Sequence, residues 1–396
     1  LFSDKSDDFW RFYMPTQLFH CLSSEKLVNY LDRYIDNHKP QSILVLTDEG
    51  VAATDFFRTL VAQLPPHTIR YMGVESALLP MTLAVQHCRE HSTDLIIGIG
   101  GGSVMDSAKI VAASAGTDIP ISELKSFHHL PSPPTQLICV PTTFGTGSEV
   151  NMYAHVDDGI NKYGLRKYWL CPTAAFVTGS PTLSLNAQQR YLTGLDSWIH
   201  AVECLNLLYE RSPVTDMLLH QAIELHDTHF KSYVNTPTNE SANAIALASC
   251  YAGIGLNNGR TGLIHTFGVA LAKQVKVPHV ISLLPFIYPV LNFYADRMLG
   301  LDLDGIKDSK LFMLPAFHKS LKEITAKVDI NKLVEDCFLD NVLFKETLKY
   351  RSSISRRRSS CKPRHANQAT RSRSRMALFS PAPATPMGRA TQPLLE

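Results

Sequence analysis

"IGIGGGSVMDSAK", Ile97 to Lys109, runs a β-branched strand pattern into three successive glycines and leaves them as a helix. A strand ending in Gly100, Gly101, Gly102 and Ser103 just before a helix lets backbone N–H groups approach a pyrophosphate, which the helix N-terminus also attracts. The spacing nearly spells G-x-G-x-x-G, with Ser103 where the third glycine would stand. A purely structural turn fits the same letters, so the flanking segments matter. "SILVLTD" (Ser42–Asp48), "DLIIGIG" (Asp94–Gly100) and "QLICVPTT" (Gln136–Thr143) are strand-like, while "AATDFFRTLVAQL" and "MTLAVQHCREH" between them have helical spacing. This alternation predicts an α/β dinucleotide-binding domain over residues 1–180, with a βαβ sheet.

Two further segments extend the nucleotide reading. "VPTTFGTGSEV" follows a strand with small residues and hydroxyls, suited to a nicotinamide ribose and phosphate, although a Thr/Gly turn explains it equally well. Asp48, at the end of an earlier strand, can accept hydrogen bonds from adenosine ribose hydroxyls and would repel a 2′-phosphate, which favours NAD over NADP. A cap or turn is the alternative role for Asp48.

From about Pro181 the texture changes. "VTDMLLHQAIELHDTHFKSYV", "SANAIALASCYAGIGL" and "KLFMLPAFHKSLKEITAKV" are long helical patterns with no strands between them, predicting an all-helical domain over 181–350. Residues 351–396 hold nine Arg and one Lys against a single acid, leaving 28 basic and 35 acidic residues before them. This Arg/Ser/Pro-rich tail lacks apolar periodicity and is expected to be disordered. Such a tail could contact RNA, but an unstructured extension without catalytic role is the expectation, and no nucleic-acid partner is expected.

The chain's 396 residues, 45% hydrophobic and 19% charged, suffice for a full core. No apolar run reaches the roughly 18 to 20 residues of a membrane span. Eight scattered cysteines, with no CxxC pair, read as reduced core thiols of a cytoplasmic protein.

"YLTGLDSWIHAVECLN" (Tyr191–Asn206) sets Asp196 and His200 four residues apart, on one face of an otherwise apolar helix. "GLIHTFGVALAKQVKVPHVISLLPF" adds His265 and His279 in apolar settings. Three imidazoles and one carboxylate make an N/O donor set for iron or zinc, although each histidine also fits as a satisfied core residue. His226 and His229 in "ELHDTHF" read instead as the polar face of an amphipathic helix.

"GGGSVMDSAK", "PTTFGTGSEV", "GLDSWIHAVE" and "GLIHTFGVALAKQVKVPH", in this order and at these separations, resemble the iron-containing (group III) alcohol dehydrogenases. The resemblance covers about residues 12–300, beginning with "FYMPTQLFH", which looks like the family's opening hairpin. It implies the dehydroquinate synthase-like fold, with an α/β nucleotide domain and an all-α domain. It also implies Fe(II), with zinc possible, held by Asp196, His200, His265 and His279, the last two fourteen residues apart. Asp48 then falls on the adenosine-ribose acid, Gly101, Gly102 and Ser103 on the phosphate loop, and Thr142, Thr143, Thr146 and Ser148 on the nicotinamide side. Lys162 falls on a cofactor-contacting lysine. A small alcohol or aldehyde substrate and a homodimer or larger homo-oligomer are expected by the same resemblance.

The departures are specific. Many members carry a histidine four residues after the third ligand, where this chain has Val269. Val280 replaces a glycine after the last ligand, and Ser180 an acid before the helical domain. They predict an altered pocket or proton path. A glycerol-dehydrogenase-like polyol enzyme and a disabled nucleotide fold with a nucleic-acid-binding tail are the alternatives.

Overall fold

The computed structural model describes residues 12–73, 76–159, 162–206, 212–275, 277–287 and 289–291. The third long helical pattern and the basic tail lie outside these. Strand β1 (Gln17–His20) leads into helix α1 (Ser24–His38), β2 (Ile43–Thr47), α2 (Glu49–Ala52), α3 (Asp55–Val61), β3 (His67–Tyr71), α4 (Leu78–Glu90), β4 (Leu95–Gly100) and α5 (Gly102–Ala115). β5 (Gln136–Pro141), a hairpin of β6 (Tyr153–Asp157) and β7 (Lys162–Arg166), and β8 (Ala174–Val177) follow. Then come α6 (Ala187–Asn206), α7 (Pro213–Asn235), α8 (Asn239–Asn258), α9 (Leu263–Gln274) and α10 (His279–Leu283), with no strand among them.

Six strands form a parallel sheet in the order β1-β8-β5-β4-β2-β3. Because both faces are covered, its four inner strands β2, β4, β5 and β8 are buried on both sides. Leu44, Leu46, Ile96 and Cys139 pack toward α4 and α5, while Ile43, Val45, Ile97 and Val140 pack toward α1 and α3. The chain moves outward from β2 to β3, then crosses back past β2 to β4. That reversal opens a crevice at the carboxyl ends of β2 and β4, where ligands of such sheets bind. Asp48 follows β2 and Gly100 ends β4, so both flank this crevice.

Three local expectations need correction. "FYMPTQLFH" is not a hairpin among the described residues: Gln17–His20 is a single edge strand, paired in parallel with Ala174–Val177. The helical run after Ala52 is broken into α2 and α3, because Thr54 adopts an extended backbone and its hydroxyl caps the N–H of Phe57. His226 is buried within α7 and not on a polar face; its Nε2 meets Ser197 Oγ at 2.8 Å and the Gly194 carbonyl at 3.0 Å.

Candidate metal centre and cofactor crevice

Helix α6 starts with a reciprocal cap: Asn186 Oδ1 accepts from the Gln189 N–H at 2.9 Å and Gln189 Oε1 accepts from the Asn186 N–H at 3.1 Å. The helix is buried along most of its length, and its 3.6-residue period brings Asp196, His200 and Glu203 onto one face. Asp196 Oδ1 lies 3.9 Å from His200 Nε2, 3.6 Å from His265 Nε2 and 3.7 Å from His279 Nε2. Ligand atoms of Asp196, His265 and His279 all lie within 4.8 Å of one another. The His200 ring stacks on His265 at 4.6 Å between centroids, so all four residues surround one carboxylate oxygen.

The other ring nitrogens are tethered. His200 Nδ1 meets the Gly145 carbonyl at 3.1 Å. His265 Nδ1 meets Glu203 Oε2 at 2.6 Å. A proton held on each Nδ1 leaves Nε2 to face Asp196, the orientation a metal requires. Asp196 Oδ1 and His265 Nε2 are both buried and hydrogen-bond to nothing, which a closed polar core does not tolerate unless something binds there. The donor set therefore fits a divalent metal.

Glu203 is the functional residue that motif and spacing left unread. Beyond His265, its carboxylate accepts from the N–H groups of Gly262 at 2.9 Å and Ile264 at 2.6 Å. It thus satisfies otherwise unpaired donors at the start of α9 and puts negative charge at that helix N-terminus, where His265 sits. Replacing Glu203 with Gln removes the charge yet keeps an acceptor; metal affinity is expected to fall about 10- to 100-fold, read by competition with a chromogenic chelator. An unchanged affinity would assign Glu203 to packing alone.

Electrostatics match this geometry. Burial alone would raise the Asp196 carboxyl, but His200, His265 and His279 hold it well below the usual carboxylate range. Burial pulls His200 down, outweighing the attraction of Asp196. For His265 burial also pulls down, but the neighbouring carboxylates of Asp196 and Glu203 win and raise it to about 9. A metal must displace that proton. Uptake is therefore expected to release about one proton near neutral pH, with affinity weakening roughly tenfold per unit as pH falls below 9; titration in weak buffer with a pH indicator checks it.

Across the crevice, Gly101 caps α5 and Gly102 opens it. A Cβ on Gly102 would lie 2.7 Å from Thr146 Cγ2, and one on Gly101 would lie 3.1 Å from Thr143 Oγ1. The glycines thus keep open a backbone cradle against the Thr loop. The Thr142 N–H donates to the Gly100 carbonyl at 3.0 Å, joining the two segments. Asp48 Oδ1 caps α2 through the Val51 N–H at 2.9 Å, so the cap role is filled while the residue stays at the crevice. Ser148 Oγ donates to Asp106 Oδ1 at 2.6 Å. The backbone of Lys162 opens β7 opposite Asp157. Gly147 adopts φ +58°, and its Cβ would fall 2.6 Å from Gly253 Cα, so this turn packs directly on α8.

Asp106 and Lys109 pin this loop from within α5. The Asp106 carboxylate also accepts the His155 N–H at 2.9 Å and faces His155 Nδ1 at 3.1 Å. Burial would raise Asp106, but His155, Lys109 and Ser148 together hold it down and ionised. Lys109 Nζ donates to Asn151 O at 2.9 Å, Asn151 Oδ1 at 3.0 Å and Tyr153 O at 2.8 Å.

Comparison with known proteins agrees with this architecture. The iron-containing alcohol dehydrogenase model matches residues 20–178, and the C-terminal model of the Fe-containing alcohol dehydrogenase family matches 191–331. A sulfoacetaldehyde reductase of Bilophila wadsworthia is 28% identical over 257 residues, 63% of this chain and 66% of its own. An NAD-dependent methanol dehydrogenase of Bacillus methanolicus is 28% identical over 249 residues, 60% of this chain and 64% of its own. The chain thus spans just under two thirds of these relatives. Among solved structures, a sulfoacetaldehyde reductase of Bifidobacterium kashiwanohense in complex with NAD+ superposes with a TM-score of 0.74 at 18% identity, covering 84% of this chain and 93% of that one. An alcohol dehydrogenase from Oenococcus oeni gives 0.70 at 19%, covering 85% and 95%. With both halves matched by its models and its fold shared, this chain belongs to the iron-containing alcohol dehydrogenase family.

Proposed function

We propose that this protein is a metal-dependent, NAD-linked oxidoreductase that moves a hydride between nicotinamide and a small alcohol or aldehyde. The observation that carries the reading is the unpaired Asp196 Oδ1 and His265 Nε2, buried together and facing two further imidazoles. Asp196, His200, His265 and His279 would hold iron(II) or zinc, which supplies Lewis-acid polarisation of a substrate oxygen. Glu203 and the Gly145 carbonyl keep the imidazoles turned toward Asp196. Gly101 and Gly102 present backbone N–H groups to the cofactor phosphates, with Thr142, Thr143, Thr146 and Ser148 on its nicotinamide side, Lys162 as a further cofactor contact and Asp48 near its adenosine ribose. Val269, one turn beyond His265, is 46% exposed and offers no titratable group at that position. A homodimer or larger homo-oligomer in the cytoplasm is the accompanying expectation.

The test is NADH oxidation by protein reconstituted anaerobically with Fe(II), with and without chelator, across small aldehydes. Sulfoacetaldehyde and formaldehyde belong in that panel because of the relatives' activities. Chelator-sensitive turnover supports the reading, and folded, metal-loaded protein inert toward every aldehyde speaks against it. Gly101→Val is expected to weaken NADH binding about tenfold or more while metal content stays unchanged, since its side chain would crowd Thr143 and the cradle. Fluorescence titration and metal analysis of the same preparation decide.

A further inference from the structure

Oxidation of an alcohol releases a proton as well as a hydride: RCH2OH + NAD+ gives RCHO + NADH + H+. The hydride passes to the nicotinamide, and the hydroxyl proton must reach solvent. Resting on the reading above, we propose that His155, oriented by Asp106, carries that proton between the reacting oxygen and bulk water. Its Nε2 accepts the hydroxyl proton as the O–H bond breaks, then passes it to solvent; reduction of an aldehyde runs the same path backwards.

The placement follows from β6. Side chains alternate along a strand, so Tyr153 and His155 share one face, roughly 7 Å apart. Tyr153 packs against a cluster that includes Ala201 and Cys204 of α6, the helix that carries Asp196 and His200, together with residues of α7 and α8. The face bearing His155 is therefore turned toward the helical bundle that includes α6, while Ala154 and Val156 fill the core on the other side. The same loop that gives its Gly145 carbonyl to His200 gives its Ser148 hydroxyl to Asp106. The His155 imidazole is close enough to His279 for their charges to interact.

Its chemistry suits a relay. The Asp106 carboxylate at 3.1 Å fixes the proton on Nδ1, and the Cδ2–Nε2 edge lies over Gly164, where the site of a missing Cβ is 3.4 Å from Nε2. The side chain is 56% exposed, so water reaches the imidazole. Among the described residues, His155 is the one histidine outside the four candidate ligands that forms an ion pair with a carboxylate. The charged and titratable groups around it are Asp106 and Lys109 from α5, Asp157 on its own strand and His279 from α10.

The experiment compares wild type with His155→Gln and His155→Asn, whose amide N–H can still donate to Asp106. In metal-loaded protein, kcat for alcohol oxidation should fall about 100-fold in both, with metal content and NADH dissociation constant unchanged, and the pH-dependent limb of kcat should vanish. Added imidazole should restore at least a tenth of the rate, which a merely structural defect would not allow. In the wild-type zinc form, the long-range 1H–15N NMR spectrum should show His155 Nε2 titrating with the midpoint of the kcat limb. Variants with wild-type kcat and limb, or an Nε2 that stays protonated through it, would overturn the proposal while leaving the dehydrogenase reading intact. A wild type that oxidises no alcohol would instead bring both down together.

Discussion

Replacing Asp196 with Ala is expected to leave folded protein that still binds NADH, holds no stoichiometric metal and has lost at least about 1,000-fold in turnover. The carboxylate oxygen is the one atom that all three facing imidazoles approach, at 3.6 to 3.9 Å. Without it the site keeps neutral donors alone, and a divalent ion loses its anionic partner. Lewis-acid polarisation contributes several kcal/mol to a transition state, and about 4 kcal/mol corresponds to that thousandfold. The glycine cradle belongs to α5 and the loop after β5, so cofactor binding should survive. Metal analysis after dialysis, alongside NADH titration, gives the answer; one tightly bound ion per chain in the variant would move the centre elsewhere.

Lys109→Met should be the most damaging substitution for stability, costing on the order of 3–5 kcal/mol by urea unfolding. The ammonium is fully buried, and burial presses its pKa downward against the pull of Asp106. It is tolerated there because Asn151 O, Asn151 Oδ1 and Tyr153 O absorb its three protons. Met fills the volume but strands three buried acceptors and leaves Asp106 without its neighbouring cation. Against a typical total of about 5–15 kcal/mol, that loss would leave a marginal protein. A loss below about 1 kcal/mol would mean that water takes over the three contacts.

The parts that could be read from the sequence are those written in local periodicity. The strands at Ile43–Thr47, Leu95–Gly100 and Gln136–Pro141 stand within a residue or two of their apolar runs, and α7 and α8 match their helical patterns closely. Ligand candidates were legible because the family motifs repeat in order. What escaped depends on contacts across long separations. Glu203 reads as an ordinary helix acid until Gly262 and Ile264, about sixty positions later, deliver their N–H groups to it. Lys109 looks like a solvated residue near the end of a motif, and its three partners lie more than forty positions away. The β6–β7 hairpin hides because each strand turns only two residues inward, Ala154 and Val156 in β6 and Tyr163 and Leu165 in β7, too short an alternation to stand out. His226 sits in a charged stretch, yet its inward position follows from the packing of α6 on α7, which no single helix specifies.

The hydrogen bond from His200 to the Gly145 carbonyl has a thermodynamic reach beyond holding a ring in place. It joins one of the proposed metal donors to the loop whose Thr146 packs against Gly102 of the proposed cofactor cradle, so a ligand that orders one would favour the other. Linkage then demands symmetry: whatever factor the metal adds to NADH affinity, NADH must add to metal affinity. Protein stripped of metal would then bind the dinucleotide more weakly by that factor, and dinucleotide-saturated protein would retain metal more firmly against competing chelators.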